Sequence, residues 1–428
     1  MAVGTDIMTH SDVILKPDPA RTVLRPFDLQ DPQGYEQNLP RFQRIAERVM
    51  AMDDATFETE FARVHSSLDE RHRDIDTAMA RRFCLVTRQT LDPDQIDRRS
   101  VLIGAYFLEE FSFESAALFN PSMIAHWDQS GLPDGAVRFI ISLRGIGEGH
   151  LSSVTFRRGT WSAEAGFQLE PLSGMARVPE IEHVDDGSNT VRVSGGGDYD
   201  CMESVLFPVT SAQSRGIEDM RMVRFVEDDG SLRWLGTYTA FSGTVARSEL
   251  MESFDFKEFE LHEMTGAAAQ SKGMALFPRK IGGRYMALSR QDSENIWLTS
   301  SDSLTHWDDG AIIVRPRHFW EFVQIGNCGS PIEIDEGWLV LTHGVGSVRN
   351  YCIGAVLLDR DDPSKVLGRR TLPLVHPSPA EREGYVPNVV YSCGAMVHDR
   401  TLLLPYGVAD NFTTFAHVAL DELLATLA

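Results

Sequence analysis

Two adjacent carboxylates and an arginine stand together at residues 216–221, directly before a strand-like run at residues 222–225. An acid held beside a guanidinium keeps a defined charge and orientation, and a catalytic carboxylate requires both. Glu218 and Asp219 are therefore candidates for acid–base chemistry, with Arg221 as their charge partner. The same residue types also form ordinary surface ion pairs, which is the alternative interpretation.

Five further segments indicate how such a site is built. Each begins at a turn and continues as an apolar, β-branched run, and the runs start near residues 137, 232, 284, 338 and 401. The intervals between the later runs match the length of one four-stranded propeller blade. The pattern therefore predicts an all-β five-bladed β-propeller, whose strand-end residues converge at one mouth of the central funnel. These strand-end residues are Arg144, Tyr238, Arg290, His343 and Tyr406. Unrelated hairpin ends in a β-sandwich are the alternative.

The N-terminal part of the chain has a different pattern. Apolar residues at helical spacing, such as Phe42 and Val49, predict an additional N-terminal α-helical domain at residues 40–118. Residues 1–39 are rich in Pro, Asp and Gln and are predicted to form an extended arm, and residues 119–428 form the predicted propeller domain. A dimerisation element or a lid is the functional interpretation of the helices.

Composition and charge exclude several classes of partner. The formal net charge is -22, whereas a nucleic acid or an anionic membrane surface is bound by clustered Lys and Arg. No run approaches the roughly 18 apolar residues of a membrane-spanning helix. None of the five cysteines lies in a Cys-x-x-Cys pair, which favours free thiols in a reducing compartment and a cytoplasmic protein. The histidines show no ligand spacing, so no metal site is predicted.

Seven motifs after residue 118 resemble glycoside hydrolase family 130, and they follow one another in the family's order. They lie at residues 119–122, 216–221, 237–240, 276–281, 337–345, 361–366 and 383–410. The resemblance implies a five-bladed β-propeller that cleaves β-mannosides, mostly by phosphorolysis and in a minority of members by hydrolysis. It also implies that Asp219 is the single catalytic acid, which passes its proton through a sugar hydroxyl to the glycosidic oxygen.

The resemblance also assigns the residues around the acid. The predicted substrate-binding residues are Asn120, Ser122, Arg144, Tyr238 and Asp410, with Tyr238 included as a strand-end residue. The predicted phosphate-binding residues are Lys280, Arg290, His343 and Tyr351. Because phosphate arrives already anionic, a phosphorylase needs fixed cations rather than the second carboxylate of an inverting hydrolase.

One departure from the family keeps hydrolysis open. Where family phosphorylases have a lysine, this chain has Gln324, in the segment Gln-Ile-Gly. The loss of one positive charge weakens phosphate binding unless another basic residue replaces it, and the candidates are Lys272, Arg279 and Arg284. For a hydrolase, the general base is one of Glu218, Asp292, Glu294 and Asp410, and the sequence does not choose among them.

The sequence therefore predicts an inverting glycoside phosphorylase that acts on a β-mannoside or a related β-linked disaccharide and releases a sugar 1-phosphate. Inorganic phosphate is the co-substrate, and no other cofactor is expected. The alternatives are a hydrolase on the same fold and a non-catalytic sugar-binding propeller. The expected partners are a small carbohydrate and phosphate, and the helical domain favours a homo-oligomer.

Overall fold

The computed structural model describes residues 6–35, 37–89, 92, 95–183, 190–195, 197, 199–379 and 383–427. Two compact units make up the chain. The main unit comprises Met1–Asp18, Glu114–Leu172 and Pro179–Ala428, and the N-terminal unit comprises Pro19–Phe113 and Ser173–Val178.

The described residues form five α-helices and 27 strands. The helices are α1 (Arg41–Met50), α2 (Asp54–Leu68), α3 (Ile75–Thr87), α4 (Arg98–Ala105) and α5 (Leu420–Leu424). The strands are β1 (Thr9–Leu15), β2 (Thr22–Pro26), β3 (Leu108–Ser112), β4 (Ala117–Ala125), β5 (Val137–Ile146), β6 (Ser152–Ser162), β7 (Gly166–Leu169), β8 (Glu180–His183), β9 (Thr190–Ser194), β10 (Val205–Leu206), β11 (Gly216–Val226), β12 (Leu232–Phe241), β13 (Ala246–Ser253), β14 (Glu258–Glu263), β15 (Ala275–Leu276), β16 (Tyr285–Ser289), β17 (Ile296–Ser301), β18 (Ala311–Val314), β19 (Gln324–Asn327), β20 (Ile332–Ile334), β21 (Gly337–Val345), β22 (Tyr351–Leu358), β23 (Val366–Arg369), β24 (Val390–Tyr391), β25 (Met396–His398), β26 (Thr401–Val408) and β27 (Phe412–Ala419).

The N-terminal unit packs four helices around a small apolar core. Helix α2 begins at Asp53, whose carboxylate accepts a hydrogen bond from the backbone N–H of Thr56 at 2.8 Å and so caps the helix. Helix α4 approaches α3 closely because Gly104 has no side chain: a Cβ there would lie 1.9 Å from the carbonyl oxygen of Met79. These contacts fix the helices on a core that includes Leu102.

The predicted N-terminal α-helical domain is wrong. The N-terminal unit is mixed, because β2 pairs antiparallel with β3 in a two-stranded sheet. The predicted arm at residues 1–39 contains β2 and also β1, and β1 pairs with β27 in the main unit. Extended Pro- and Asp-rich segments satisfy their backbone groups by strand pairing here, and the pairing partners lie far away in the sequence.

The main unit consists of four mostly antiparallel sheets. A five-stranded sheet has the order β1-β27-β26-β24, with β25 on β26; an eleven-stranded sheet has the order β4-β5-β6-β11-β12-β13-β14-β9-β8, with β7 and β10 on β6. A four-stranded sheet has the order β15-β16-β17-β18, and another five-stranded sheet has the order β19-β21-β22-β23, with β20 on β21.

The predicted five-bladed β-propeller is wrong. The five segments that suggested equal blades are strands β5, β12, β16, β21 and β26, but β5 and β12 belong to one eleven-stranded sheet. A parallel bridge between Gly216 and Ser152 joins β11 to β6, so two would-be blades merge. Among the described strands the sheets therefore differ in size, and none of them closes on itself.

The sheets bury the strands that carry the candidate site. All nine residues of β21 are buried, and its apolar members pack with those of neighbouring strands into continuous clusters. A strand covered on both faces keeps its polar side chains rigid and desolvated, and this is the setting of His343. All five cysteines are buried free thiols. No described helix is both long enough and apolar enough to span a membrane.

Candidate active site

Two β-bulges bring the candidate acid to an amide. The register of β11 shifts between Glu218 and Arg221, and that of β4 shifts between Phe119 and Ser122. Asp219 and Asn120, within these shifts, have left-handed backbones with φ of 53° and 50°, a conformation that Asp and Asn tolerate better than most residues.

The Asp219 carboxylate is held by three groups of positive or donor character. Asn120 Nδ2 donates a hydrogen bond to Asp219 Oδ1 at 2.7 Å, and Arg144 Nη1 donates to the same oxygen at 3.2 Å. Burial raises the pKa of Asp219, but the charges of Arg144 and Arg221 and the Asn120 hydrogen bond outweigh burial, so the pKa lies below its usual value. Asp219 is therefore ionised at neutral pH in the unliganded protein.

Glu218 lies between two cations beside the acid. Arg144 Nη2 donates to Glu218 Oε1 at 2.8 Å, and Lys272 Nζ donates to Glu218 Oε2 at 2.8 Å. The Glu218 side chain is 9% exposed and that of Lys272 is 41% exposed. Glu218 thus fixes Arg144 and Lys272 next to Asp219, while the ammonium group stays accessible from solvent.

Two further arginines extend the cationic wall. Arg221 Nη1 donates to the backbone oxygen of Asp219, and Arg221 Nη2 donates to the hydroxyl of Tyr391, both at 2.9 Å. A Cβ built on Gly273 would lie 3.7 Å from Arg290 Nε and 3.8 Å from Arg221 Nη2. The backbone next to Lys272 therefore lies near both guanidiniums. The Nε atoms of both arginines are buried and have no hydrogen-bond partner among the described residues.

Arg290 in turn contacts His343. Arg290 Nη1 lies 3.0 Å from His343 Nε2, and the Gln324 amide satisfies its neighbours when its oxygen accepts from Arg290 Nη1 at 2.5 Å. Burial, and then the charges of Arg290 and Arg221, lower the pKa of His343 well below its usual value. His343 is therefore a neutral hydrogen-bonding group at physiological pH, and it adds no positive charge to the wall.

Tyr351 lies on the same wall. Its ring stacks on that of His343 with a centroid separation of 6.2 Å and an interplanar angle of 11°. The guanidinium of Arg349 lies over the Tyr351 ring, with its Cζ 5.9 Å from the ring centroid.

Asp410 supplies a second carboxyl near the acid. It has a left-handed backbone in the turn between β26 and β27. Burial, followed by the negative charge of Asp219, raises the pKa of Asp410 to about 6, whereas the charges of Arg144 and Arg349 act in the opposite direction. Two neighbouring carboxyls with separated pKa values are the arrangement in which one holds a proton while the other is ionised.

We refer to these residues together as the acid cluster. Its members are Asn120, Arg144, Glu218, Asp219, Arg221, Lys272, Arg290, Gln324, His343, Tyr351, Tyr391 and Asp410. Of the sequence-predicted site residues, the structure brings together Asn120, Arg144, Asp219, Asp410, Arg290, His343 and Tyr351. Ser122 adjoins the cluster as a support: it is fully buried, and its hydroxyl accepts a hydrogen bond from the backbone N–H of Met222 at 2.9 Å.

Two predicted residues lie elsewhere. Tyr238 is 1% exposed in an apolar core cluster, and its hydroxyl donates to Glu249 at 2.9 Å. Lys280 lies 3.1 Å from Glu227 and from Asp228. Glu227 is eight residues beyond Asp219 and directly follows the end of β11, which at about 3.3 Å per strand residue is roughly 26 Å. Neither side chain is therefore available to a ligand at Asp219.

Tyr391 was not predicted from the sequence, and Lys272 was predicted only as a substitute for a missing lysine. Tyr391 bonds to Arg221 across 170 residues of chain, and neither spacing nor composition indicates such a contact. Lys272 had a local signal, because it precedes a glycine in a turn-prone segment ahead of β15. That glycine permits the close approach to the two arginines.

The described residues also contain one group of side chains with metal-ligand character, Glu252, Glu260 and His262. Arginines already compensate its carboxylates, since Arg233 donates to Glu252 and Arg192 donates to Glu260. This group contains no member of the acid cluster.

Comparisons with known proteins identify relatives of this chain. The model of glycoside hydrolase family 130, described as β-1,4-mannooligosaccharide phosphorylase, matches residues 188–428. The chain is 34% identical over 248 residues to a 1,2-β-oligomannan phosphorylase of a Thermoanaerobacter species, covering 56% of this chain and 77% of the relative. It is 32% identical over 230 residues to a β-1,2-mannobiose phosphorylase of Listeria innocua, covering 52% of this chain and 63% of the relative.

A solved structure is also similar. The complex of β-1,2-mannobiose phosphorylase from Listeria innocua with β-1,2-mannobiose matches with a TM-score of 0.50 and 25% identity. The match covers 74% of this chain and 93% of that structure.

Proposed function

The chain belongs to glycoside hydrolase family 130, and we propose that it is an inverting glycoside phosphorylase that cleaves a β-mannoside with inorganic phosphate. The products of this reaction are α-mannose 1-phosphate and the leaving sugar. Relatives named for β-1,2- and for β-1,4-linked substrates support β-linked manno-oligosaccharides as the substrate class.

The observation that carries the proposal is the charge of the acid cluster. Four cationic side chains, those of Arg144, Arg221, Lys272 and Arg290, surround the carboxyl groups of Glu218 and Asp219, and the carboxyl of Asp410 lies near them. Even with all three carboxyl groups ionised, the four positive charges leave a net charge of about +1, which attracts an anion such as phosphate at about −1.5 to −2 near neutral pH. A whole chain of net charge -22 concentrates positive charge here, where an anion is required.

The chemistry needs only one proton donor. An oxygen of hydrogen phosphate attacks the anomeric carbon while the bond from this carbon to the glycosidic oxygen breaks. The leaving oxygen takes its proton from Asp219, and the proton of hydrogen phosphate restores the carboxyl group, so charge and protons balance. Bound phosphate offsets the charges of Arg144 and Arg221, and this raises the pKa of Asp219 from its low resting value toward protonation.

We assign sugar recognition to the groups around Asp219 Oδ1, where Asn120 and Arg144 both donate. Asn120 Oδ1 is buried without a hydrogen-bond partner among the described residues, so a sugar hydroxyl can donate to it. Arg144 and the Asp410 carboxyl supply a donor and an acceptor beside it. A hydroxyl held between such groups is oriented for proton transfer to the glycosidic oxygen.

Product analysis tests the proposal directly. The protein is incubated with β-1,2- and β-1,4-mannobiose, with and without phosphate. Mannose 1-phosphate should form only when phosphate is present, and Asp219→Asn should lower the rate by about 10²–10⁴-fold. Oligosaccharide binding by the Asp219→Asn variant should persist. Sugar release that is independent of phosphate rejects phosphorolysis.

Hydrolysis is the second candidate, and two observations favour it. Gln324 places a neutral amide beside Arg290 and His343, and Asp410 provides a second carboxyl near Asp219. A hydrolase releases free mannose without phosphate and loses its activity in Asp410→Asn, because the general base is gone. A non-catalytic sugar-binding protein shows no turnover at all, and its ligand binding survives Asp219→Asn.

Three further properties belong to the proposal. No cofactor beyond phosphate is needed, because phosphate is itself the nucleophile. We place the protein in the cytoplasm, since buried free thiols at all five cysteines suit a reducing compartment. We also expect a homo-oligomer formed through the N-terminal unit, where large apolar side chains such as Leu85 and Met50 are 70% and 58% exposed.

A further inference from the structure

An exposed aromatic residue stands next to Asp410. Tyr385 is 70% exposed, although a tyrosine ring normally gains free energy by burial. The ring is not unsupported: it lies against the ring of His150, with centroids 5.8 Å apart and an interplanar angle of 32°. An exposed aromatic ring held in a fixed position is a feature that binding surfaces share.

The backbone on both sides of Tyr385 is fixed to the residue that precedes Asp410. The N–H of Val386 donates to the carbonyl oxygen of Ala409 at 3.0 Å. Gly384 packs so tightly there that a Cβ would lie 2.5 Å from Ala409 Cβ and 2.6 Å from its carbonyl oxygen. Summing the bonds along this path, the Cα atoms of Tyr385 and Asp410 are roughly 10 Å apart or less.

His150 is fixed to the other side of the acid cluster. It lies in the tight turn between β5 and β6, where its N–H donates to the carbonyl oxygen of Gly147 at 3.2 Å. Strand β5 carries Arg144, and Arg144 Nε donates to Ser152, the first residue of β6, at 2.9 Å. The contact between Tyr385 and His150 therefore bridges the segments that carry Asp410 and Arg144.

We propose that Tyr385, supported by His150, is a binding platform for a second pyranose ring, the sugar next to the one held at Asn120, Arg144 and Asp410. The proposal rests on the proposed function, because it extends the same substrate outward from the acid. The apolar face of the pyranose ring lies on the Tyr385 ring, and the exposed Arg349 beside Asp410 meets its hydroxyl groups. The occupant is the leaving sugar in phosphorolysis and the acceptor in the reverse reaction.

The reverse reaction tests the platform separately from the phosphate site. Wild type and Tyr385→Ala are assayed with α-mannose 1-phosphate as donor and with mannose or β-mannobiose as acceptor. The KM for the acceptor should rise about three- to tenfold in Tyr385→Ala, as expected for loss of one aromatic contact, while the KM for mannose 1-phosphate stays within twofold. Tyr385→Phe keeps the ring and should behave as wild type.

The control variant is Phe254→Ala, which removes another aromatic side chain, 64% exposed and in the same unit, and should leave both KM values unchanged. An unchanged acceptor KM in Tyr385→Ala overturns the platform, and so does an equal rise in both KM values.

A binding measurement distinguishes failure of the platform from failure of the proposed function. Wild type and Tyr385→Ala are titrated calorimetrically with β-1,2- and β-1,4-mannotriose in the absence of phosphate. Weaker binding by the variant supports the platform even when wild type shows no phosphate-dependent turnover, an outcome that rejects only phosphorolysis. A wild-type chain that neither binds nor converts these oligosaccharides overturns the platform as well.

Discussion

At the residue scale, the acid cluster separates two lysines that look equally suited to phosphate. Lys272 contacts Glu218 beside the acid, and the next residue lies near Arg290 and Arg221. Lys280 is paired with two carboxylates at the far end of β11. How strongly a basic residue binds an anion depends on its position and on the carboxylates already paired with it. The sequence shows neither.

Substitution of the two lysines gives a matched pair of variants. We expect Lys272→Ala to raise the KM for phosphate by about 10-fold or more, because a charge-assisted hydrogen bond is worth about 1.5–3 kcal/mol. Lys280→Ala should leave this KM within twofold. Initial-rate kinetics with varied phosphate and saturating disaccharide provide the measurement. Equal effects of the two variants, or a larger effect of Lys280→Ala, contradict the assignment.

Asp410 makes stability depend on pH. Its pKa of about 6 in the folded protein exceeds the ordinary value of 3.8, so the folded chain retains a proton that the unfolded chain releases. This contribution to the free energy of unfolding is fully present below about pH 4 and is lost as the pH rises through about 6. Asp410→Asn has no such loss. Between pH 4.5 and pH 8 the wild type should therefore lose about 1–3 kcal/mol of stability relative to Asp410→Asn, and the Tm of the variant should rise relative to that of the wild type.

A control of opposite sign is available for this prediction. Hydrogen bonds from Asn295 and Glu294 outweigh partial burial and lower the pKa of Asp292 to about 2. Its stabilising contribution is present above about pH 4 and is lost only as the pH falls through about 2. Asp292→Asn should therefore lower Tm by a similar amount at pH 4.5 and pH 8. The measurement is thermal unfolding of both variants and wild type at the two pH values. An equal difference in Tm between Asp410→Asn and wild type at both pH values would contradict the raised pKa of Asp410.

At the element scale, close approach between strands brings Arg290 and His343 together. Strand β19 lies beside β21 with Gly326 opposite His343, and a Cβ on Gly326 would lie 2.3 Å from His343 Cε1 and 3.1 Å from Arg290 Cδ. A side chain at this position must displace the imidazole or the guanidinium. The glycine of the Gln-Ile-Gly segment thus sets the distance between Arg290 and His343.

Gly326→Ala should therefore damage phosphate binding as well as stability. We expect a loss of about 1–3 kcal/mol in stability, as for other overpacked sites, and an increase of about tenfold in the KM for phosphate. Gly368→Ala is the control, because β23 belongs to the same sheet and a Cβ there meets Leu427 Cβ at 3.0 Å. It should lower Tm without changing the KM for phosphate. An unchanged KM for phosphate in Gly326→Ala would show that phosphate binding tolerates the displacement of Arg290 or His343.

The strands themselves were largely predictable, but their assembly was not. The apolar runs near residues 137, 232, 338 and 401 begin β5, β12, β21 and β26 within one residue, because alternation and turn residues are local signals. Equal spacing suggested equal blades. The bridge from Ser152 to Gly216 and the pairing of β9 with β14 merge two of them, and no local pattern encodes such pairings.

The same limit applies to the site. Asp219 and Asn120 were predictable because they stand in recognisable motifs, and Arg144 because it ends a predicted strand; all three reach one cluster. Tyr238 was wrongly included because a strand end appears identical in sequence whether it faces a ligand or the core. Only the fold shows that its hydroxyl is already satisfied by Glu249.

At the scale of the whole molecule, the first strand of the described chain completes the sheet formed by the last two. Strand β1 pairs with β27, and the turn between β26 and β27 holds Asp410. Val13 on β1 packs against an apolar cluster that includes Leu403 and Phe415. The segment that the sequence indicated as an extended arm therefore supports the element that positions a site carboxyl.

Val13→Asp tests this support, with the neighbouring Asp12→Asn as its control. The substitution removes the buried apolar surface of Val13 and places a carboxylate where its desolvation is unfavourable. We therefore expect destabilisation of about 2–4 kcal/mol and release of β1 from the sheet. Asp12 is exposed on the opposite face, and Asp12→Asn should leave Tm unchanged. Thermal unfolding and limited proteolysis of residues 6–18 measure the two effects together. Because β27 then becomes an unpaired edge next to the Asp410 turn, Val13→Asp should also raise the KM for the disaccharide. A variant that loses stability but keeps the wild-type KM would show that the turn keeps its position without β1.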